Sequence, residues 1–356
     1  MNHPEYRVSD HRRYDFRSDN VAGVAPEVLT AISKAALGSE SSYGEDTISK
    51  RLESKLAEIF EHEVAVFSVA TGTAANSLAL ASIVPGWGSI LCHHEAHIAT
   101  DECGAPEFFS GGAKLVLLDG FHGKITAEEV ASYLRRDARG VHHVQPSAVS
   151  ISQSTEAGTC YRPEEIAALG EICLRHGLGF HMDGARFANA QARLGCTPAE
   201  ATWRAGVDIL SFGLTKNGAM SAEAVVFFDP SRARDFAFRR KRSGHLFSKM
   251  RFVSAQMEAL LNSDLWIKLA GHSNQIAHQI SQAIAGNPRL KLLHPVEANE
   301  LFVLMPSAAI EALEQEGYRF YRWETDQGPC IRLVTAFDTD PVDADALADA
   351  IIKAIS

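Results

Sequence analysis

Short apolar runs alternate along the first two thirds of the chain with stretches whose apolar residues recur at helical spacing. Residues 64–69, 90–92, 115–118, 148–151, 179–182, 209–212 and 224–228 read as strands. Pro26 opens a helix that Gly38 closes, with proline at the start and glycine past the end. From Thr47, the residues Ile48, Leu52, Leu56, Ile59 and Phe60 keep a helical period, and 126–136, 163–176 and 186–194 read as further helices. Strands separated by helices predict an α/β fold: a mainly parallel, seven-stranded-type sheet covered by helices on both faces. After Pro230 the pattern changes to a basic segment and a long helical region reaching about Ala285. Strands at 290–293, 301–305, 318–323 and 331–334, with helices at 308–315 and 343–355, then predict a smaller α+β C-terminal domain. The expected organisation is an N-terminal arm over 1–14, a large α/β domain over 15–245 and a small domain over 246–356.

Composition narrows the partners. A length of 356 residues fits one large and one smaller core, and 46% hydrophobic with 22% charged residues is an ordinary globular mixture. A net charge of −10 argues against nucleic acid, which selects a basic face. Six scattered cysteines without a C-x-x-C pair suit a reduced compartment. Residues 1–13 are polar, with no signal-peptide pattern, and no run approaches the ~18 apolar residues of a membrane span. A cytoplasmic protein without nucleic-acid or membrane partners is expected.

The chemistry gathers where two predicted strands end. One runs into Asp183-Gly184-Ala185-Arg186 and the next into Thr215-Lys216-Asn217-Gly218. Ligands of open α/β sheets sit at the carboxyl ends of strands, so a carboxylate and an amine share one rim. Taken singly, Asp183 is a helix cap and Lys216 a solvated loop lysine. As a pair they match pyridoxal phosphate, which needs a lysine to hold its aldehyde and an acid to keep its ring nitrogen protonated. Upstream, the strand at 64–69 runs into Thr71-Gly72-Thr73 and a small-residue helix. Free N–H groups and the helix dipole there make an anion site.

Further candidates are His97, Arg186, Arg332 and a basic cluster. His93 and His97 are four apart, but a metal reading needs a helix where the segment reads as loop, and no metal set is assigned. His97 is read as a ring lying on the cofactor face and moving protons. Arg186 follows Asp183 closely enough to share its ligand. Arg332 lies inside an apolar strand and must meet a carboxylate, either structural or a substrate's. Arg239-Arg240-Lys241-Arg242 is dense for an acidic chain and suits a phosphate or a neighbouring subunit.

Together, Arg17-Ser18-Asp19-Asn20, Tyr43-Gly44-Glu45-Asp46, Thr71-Gly72-Thr73-Ala74-Ala75-Asn76, Glu95-Ala96-His97, His181-Met182-Asp183-Gly184-Ala185-Arg186, Thr215-Lys216-Asn217-Gly218 and Ile331-Arg332-Leu333-Val334 resemble the low-specificity L-threonine aldolases. These are pyridoxal-phosphate enzymes of the aspartate-aminotransferase fold, fold type I. The resemblance runs in order from about residue 15 to 335. The segment 100–107, Thr100 to Glu107, resembles a bacterial branch that includes phenylserine aldolases.

The resemblance implies that Lys216 holds the cofactor, Asp183 meets its ring nitrogen, His97 stacks on the ring and Gly72 and Thr73 bind its phosphate. It implies further that Ser18, Arg186 and Arg332 hold the substrate carboxylate. A basic residue of the next subunit completes the phosphate site, from the cluster containing Arg240 and Lys241, in a homodimer or homotetramer with sites at the dimer interface. One departure stands out: where many members have Glu-Asn-Thr-His-Asn, this chain has Ser152-Gln153-Ser154-Thr155-Glu156. The base acting on the β-hydroxyl is then His97 through water, or Glu156. The implied activity is retro-aldol cleavage of threonine, allo-threonine or phenylserine to glycine and an aldehyde. The alternatives are β-elimination or transamination on the same fold and, from another class, a non-catalytic regulatory or binding protein.

Overall fold

A computed structural model of the chain describes residues 14–136 and 140–356; of the expected arm, 1–13 lie outside the described residues. The first part of the chain gives α1 (Pro26–Ala35), α2 (Thr47–Ile59), β1 (Ala65–Val69), α3 (Gly72–Ile83), β2 (Gly88–His93), α4 (His97–Thr100), α5 (Ala105–Ser110), β3 (Lys114–Leu118) and α6 (Ala127–Arg136). There follow β4 (Gln145–Ser152), α7 (Pro163–His176), β5 (Gly179–Gly184), α8 (Phe187–Leu194), β6 (Ile209–Gly213), β7 (Glu223–Phe227), α9 (Phe236–Arg242), α10 (Arg251–Leu261) and α11 (Leu265–Ile284). The last part holds β8 (Lys291–Leu292), β9 (Glu300–Leu304), α12 (Ser307–Gln315), β10 (Tyr321–Thr325), β11 (Gly328–Val334) and α13 (Pro341–Ala354).

Strands β1 to β7 form one seven-stranded sheet in the order β1-β7-β6-β5-β4-β2-β3. Neighbours from β6 to β3 run parallel, while β7 runs antiparallel to both β1 and β6. The mainly parallel sheet expected from the alternation is therefore present, with one strand reversed. Strands β5, β6 and β7 are buried along almost their whole length, which explains their continuous apolar runs. Phe60, Phe180, Phe187 and Phe212 fill the main core together with Leu52 and Leu56 of α2.

Strands β8 to β11 form a separate four-stranded antiparallel sheet in the order β10-β11-β9-β8. Its core takes Ile276 to Ile284 of α11 and the apolar faces of α12 and α13. Met250, Met257 and Trp266 instead pack into the core of the large sheet, so the long helical region touches both layers. The segment entering from Tyr14 bridges Arg319 and reaches the end of β11: Phe16 donates to Arg319 O, and Val334 donates to Phe16 O, each at 2.8 Å. That pairing delivers Ser18 and Asp19 to the rim of the large sheet from the far end of the sequence.

Candidate active site

Because β1, β2, β4, β5 and β6 point one way and β7 the other, five strand ends and one strand start meet on a single rim. Residues from several of them line a cavity of about 380 Å³: Thr71, Gly72 and Thr73, Asn76, His97, Asp183, Lys216 and Glu223. The volume is within the range of cofactor sites. Larger hollows lie elsewhere, but they contain no amine and carboxylate matched in this way. One opens between α7 and the starts of β5 and β6 and another between α1, α2 and α10, with a third of similar size to the site beside β9 and β11.

Each wall has a local cause. Thr71 caps α3, its hydroxyl accepting the Ala74 N–H at 3.2 Å. The first N–H groups of that helix have no carbonyl one turn back and are available to an anion. A Cβ on Gly72 would meet nothing within 4 Å, so space is open there. Lys216 sits in a one-turn helix, Thr215–Asn217, held by Asn217 donating to Trp266 O at 2.8 Å and closed by Gly218 at φ +101. Gly213 is required for a different reason: its Cβ would stand 2.7 Å from both Ala185 Cα and Glu223 Oε2.

Asp183 Oδ1 accepts the Ala185 N–H at 2.9 Å, and Oδ2 accepts from Asn76 Nδ2 at 2.7 Å. Asn76 also donates to Glu102 Oε1 at 2.8 Å, and His97 Nδ1 lies 2.9 Å from that same oxygen. The Glu102 hydrogen bond raises His97 above the ordinary imidazole range against the effect of burial. Burial raises the Glu102 carboxyl, opposed by His97 and Asn76. Beneath this layer His181 is fully enclosed between Ser150 Oγ at 2.9 Å and Ser211 Oγ at 3.0 Å, and burial pushes it down to about 4. Burial also pushes Glu223 up to about 7, opposed by a Thr215 hydrogen bond and the Lys216 charge.

A second cluster borders the first. Arg186 donates from Nε to Asp19 Oδ2 at 2.7 Å and approaches Glu300 Oε1 at 3.4 Å, all three side chains being buried. Arg332 is paired with the same Glu300 oxygen. The carboxylate required by the charged residue in an apolar strand is thus Glu300, on the neighbouring strand β9. Burial raises Asp19, but Arg186 and Lys216 outweigh it and bring the carboxyl down to about 2. Ser18 caps the turn that starts at Asp19 by accepting the Asn20 N–H at 3.1 Å. Glu156 is partly buried in the loop after β4; burial raises it, opposed by the charges of Lys216 and Arg186.

The expected residues are brought together unequally. Gly72, Thr73, His97, Asp183 and Lys216 share the cavity, and Ser18, Arg186 and Arg332 adjoin it through the Asp19–Glu300 cluster. Arg240 and Lys241 do not line it. Arg240 rests on β1, over the Phe67 ring at 5.2 Å and 3.4 Å from Ser68 O, and Lys241 lies over Tyr43 at 4.7 Å. His93 and His97 are not on one helix: His93 ends β2 and points to Gly120 O.

A family description for beta-eliminating lyases matches residues 15–308. The low-specificity L-threonine aldolase of Pseudomonas aeruginosa is 44% identical over 94% of this chain and 95% of its own. The enzyme of that name from a second Pseudomonas strain is 45% identical, over 91% of this chain and 93% of its own. The chain belongs to the threonine aldolase branch of the beta-eliminating lyase family. A solved threonine aldolase from Leishmania major superposes with a TM-score of 0.91 at 27% identity, covering 96% of this chain and all of that one. The fold is accordingly that of the pyridoxal-phosphate enzymes of fold type I.

Within this threonine aldolase site, sequence reasoning assigned no role to Asn76, Glu102, Glu223, Asp19 or Glu300. Two had usable signals. Glu223 is a charged residue opening an otherwise apolar strand, and Asn76 is a polar residue one turn into a helix of small side chains.

Proposed function

We propose that the protein is a pyridoxal-phosphate-dependent lyase that cleaves β-hydroxy-α-amino acids between Cα and Cβ, releasing glycine and an aldehyde. The observation that carries this reading is the sharing of one cavity by the Lys216 amine, the Asp183 carboxylate and the N-terminus of α3. Those three features fit the cofactor's aldehyde, ring nitrogen and phosphate. When bound, pyridoxal phosphate supplies an aldehyde for the amine and a ring that accepts the electron pair of the breaking bond.

The residues divide the remaining work. Asp183, fixed by Asn76 and by its own turn, presents its carboxyl where the ring nitrogen's proton must be held. Gly72 and Thr73 offer backbone donors to the phosphate. Ser18, Arg186 and Arg332 hold the substrate carboxylate, the arginines being already aligned by Asp19 and Glu300. His97 and Glu156 are the candidates near the cavity for taking the β-hydroxyl proton, with Glu223 a further carboxyl in its lining.

Pairing of two chains belongs to the same reading. Arg240 is partly buried and has no carboxylate within salt-bridge reach among the described residues; burial lowers it to about 10. A phosphate offered by a second copy would supply the missing anion, with Lys241 beside it. No helix among the described residues is long and apolar enough to cross a membrane.

The test is product analysis with L-threonine, allo-threonine and phenylserine. Glycine with the matching aldehyde supports the lyase. Ammonia with a keto acid would assign β-elimination, and an amino-group acceptor requirement would assign transamination.

A further inference from the structure

We infer that Glu102 is a positioning residue for catalysis: it holds His97 with the proton on Nδ1, leaving Nε2 to accept the β-hydroxyl proton, while Asn76 ties this pair to Asp183. The inference rests on the lyase reading and deepens it by assigning the base.

The hydrogen-bond inventory decides the tautomer. Glu102 is buried, at 3% exposure, and its Oε1 accepts from Asn76 Nδ2 at 2.8 Å while Oε2 accepts from Ser77 Oγ at 3.4 Å. Asn76 gives its other N–H to Asp183 Oδ2, so both amide hydrogens point at carboxylates. Turning the amide over would aim its oxygen at two anions. Its Oδ1 accordingly has no partner among the described residues. Oε1 of Glu102 is therefore an acceptor, and the His97 Nδ1 at 2.9 Å from it must carry the hydrogen. A neutral ring in that state has only Nε2 as a basic nitrogen, and His97 lines the cavity. A buried carboxylate behind the imidazole also stabilises the cation that forms when Nε2 takes a proton, the logic of a histidine–carboxylate pair in acyl-transfer enzymes.

The step is balanced. The substrate O–H bond breaks and its proton goes to Nε2. The O–H electron pair becomes the new carbonyl bond, and the pair of the Cα–Cβ bond stays with the amino-acid fragment. Returning the proton from the imidazolium to Cα completes glycine. The charged groups facing His97 are Glu102 from the turn between α4 and α5, Asp183 from β5 and Glu156 from the loop after β4. Lys216 and Glu223 line the same cavity. Of these, only Glu102 forms a hydrogen bond with the ring.

The experiment follows individual imidazoles in the full-length protein by hydrogen–deuterium exchange at the ring C2 position, read by mass spectrometry against pH. In wild type, His97 titrates above an ordinary histidine. In Glu102→Gln its midpoint falls by about one pH unit or more, as loss of an adjacent opposite charge requires. Glu102→Asp restores part of the shift, and the acid limb of kcat/KM moves with it. An unshifted His97 in a folded Glu102→Gln protein overturns the inference. So does a wild-type ¹⁵N spectrum placing the hydrogen on Nε2, a result that does not depend on the variant folding. Cofactor loading is followed in the same samples by visible absorption. A wild type that never loads defeats the lyase reading, whereas a loaded variant with unshifted His97 defeats only this assignment.

Discussion

Asn76 Nδ2 lies 2.7 Å from Asp183 Oδ2, a contact joining the helix whose N-terminus faces the cavity to the strand end that carries its charge. Asp183 is thus anchored through one oxygen by α3 and through the other by its own turn. In Asp183→Asn the amide can still hydrogen-bond a ring nitrogen but cannot hold a positive charge there. The variant is expected to bind some cofactor and lose most turnover. Cofactor titration beside steady-state rates checks this, and near-normal rates would contradict the role given to Asp183.

The Asp19–Arg186–Glu300–Arg332 cluster carries a stability prediction. Glu300→Gln leaves two arginines without the carboxylate they share, one of them at 3% side-chain exposure. Removing one member of a buried ionic set costs roughly 3–5 kcal/mol. Urea unfolding of the variant should show a loss of that order. A loss below about 1 kcal/mol, the size of an exposed pair, would show that the cluster is not a structural unit.

His181 makes acid stability depend on a single enclosed ring. Its folded value of about 4 lies below the ordinary 6.5, so the fold favours the neutral form. Its contribution is complete above the unfolded value and is lost as pH falls toward the folded one, at about 1.4 kcal/mol per unit. The stability gap between wild type and His181→Gln should therefore narrow by about 2 kcal/mol between pH 7 and about pH 5. A gap that stays constant over that range would mean that the ring titrates alike in the folded and unfolded states.

Neutralising Arg240 and Lys241 together should weaken cofactor affinity more than folding, since neither residue supports the cavity of its own chain. The difference from wild type should shrink at high salt, where screening removes part of what the charges contribute. Titrating apo-protein with cofactor at two ionic strengths, with sedimentation alongside, tests the idea. A wild type that stays monomeric while binding and turning over normally would sink it.

Much of this was readable in the chain before folding because the determining contacts are local. Asp183 and Lys216 announce themselves as polar residues ending apolar strands, and the order of helices and strands follows from continuous burial of β5, β6 and β7. The reversal of β7 was also readable: residues 214–222 are too few for the crossover of about a dozen residues that a parallel neighbour needs. Arg332 showed that a carboxylate must be present but not which one, since Glu300 reaches it across the β9–β11 ladder. Glu102 and Asp19 had no comparable signal. Their roles arise from a turn folding back under α3 and from residues 14–16 pairing with Arg319 and the end of β11, and neither contact leaves a periodic trace.

Every other residue role depends on Lys216 holding a pyridoxal cofactor and on the loaded site cleaving Cα–Cβ bonds. The most direct measurement compares wild type with Lys216→Ala, each given pyridoxal phosphate and then L-threonine, while visible absorption, borohydride-trapped adducts, glycine and aldehyde are recorded. A trapped adduct at Lys216 and equal yields of glycine and acetaldehyde are expected in wild type, with neither in the variant. A variant that still forms a reducible adduct at another lysine and releases glycine, or a loaded wild type that releases ammonia instead, would contradict these roles.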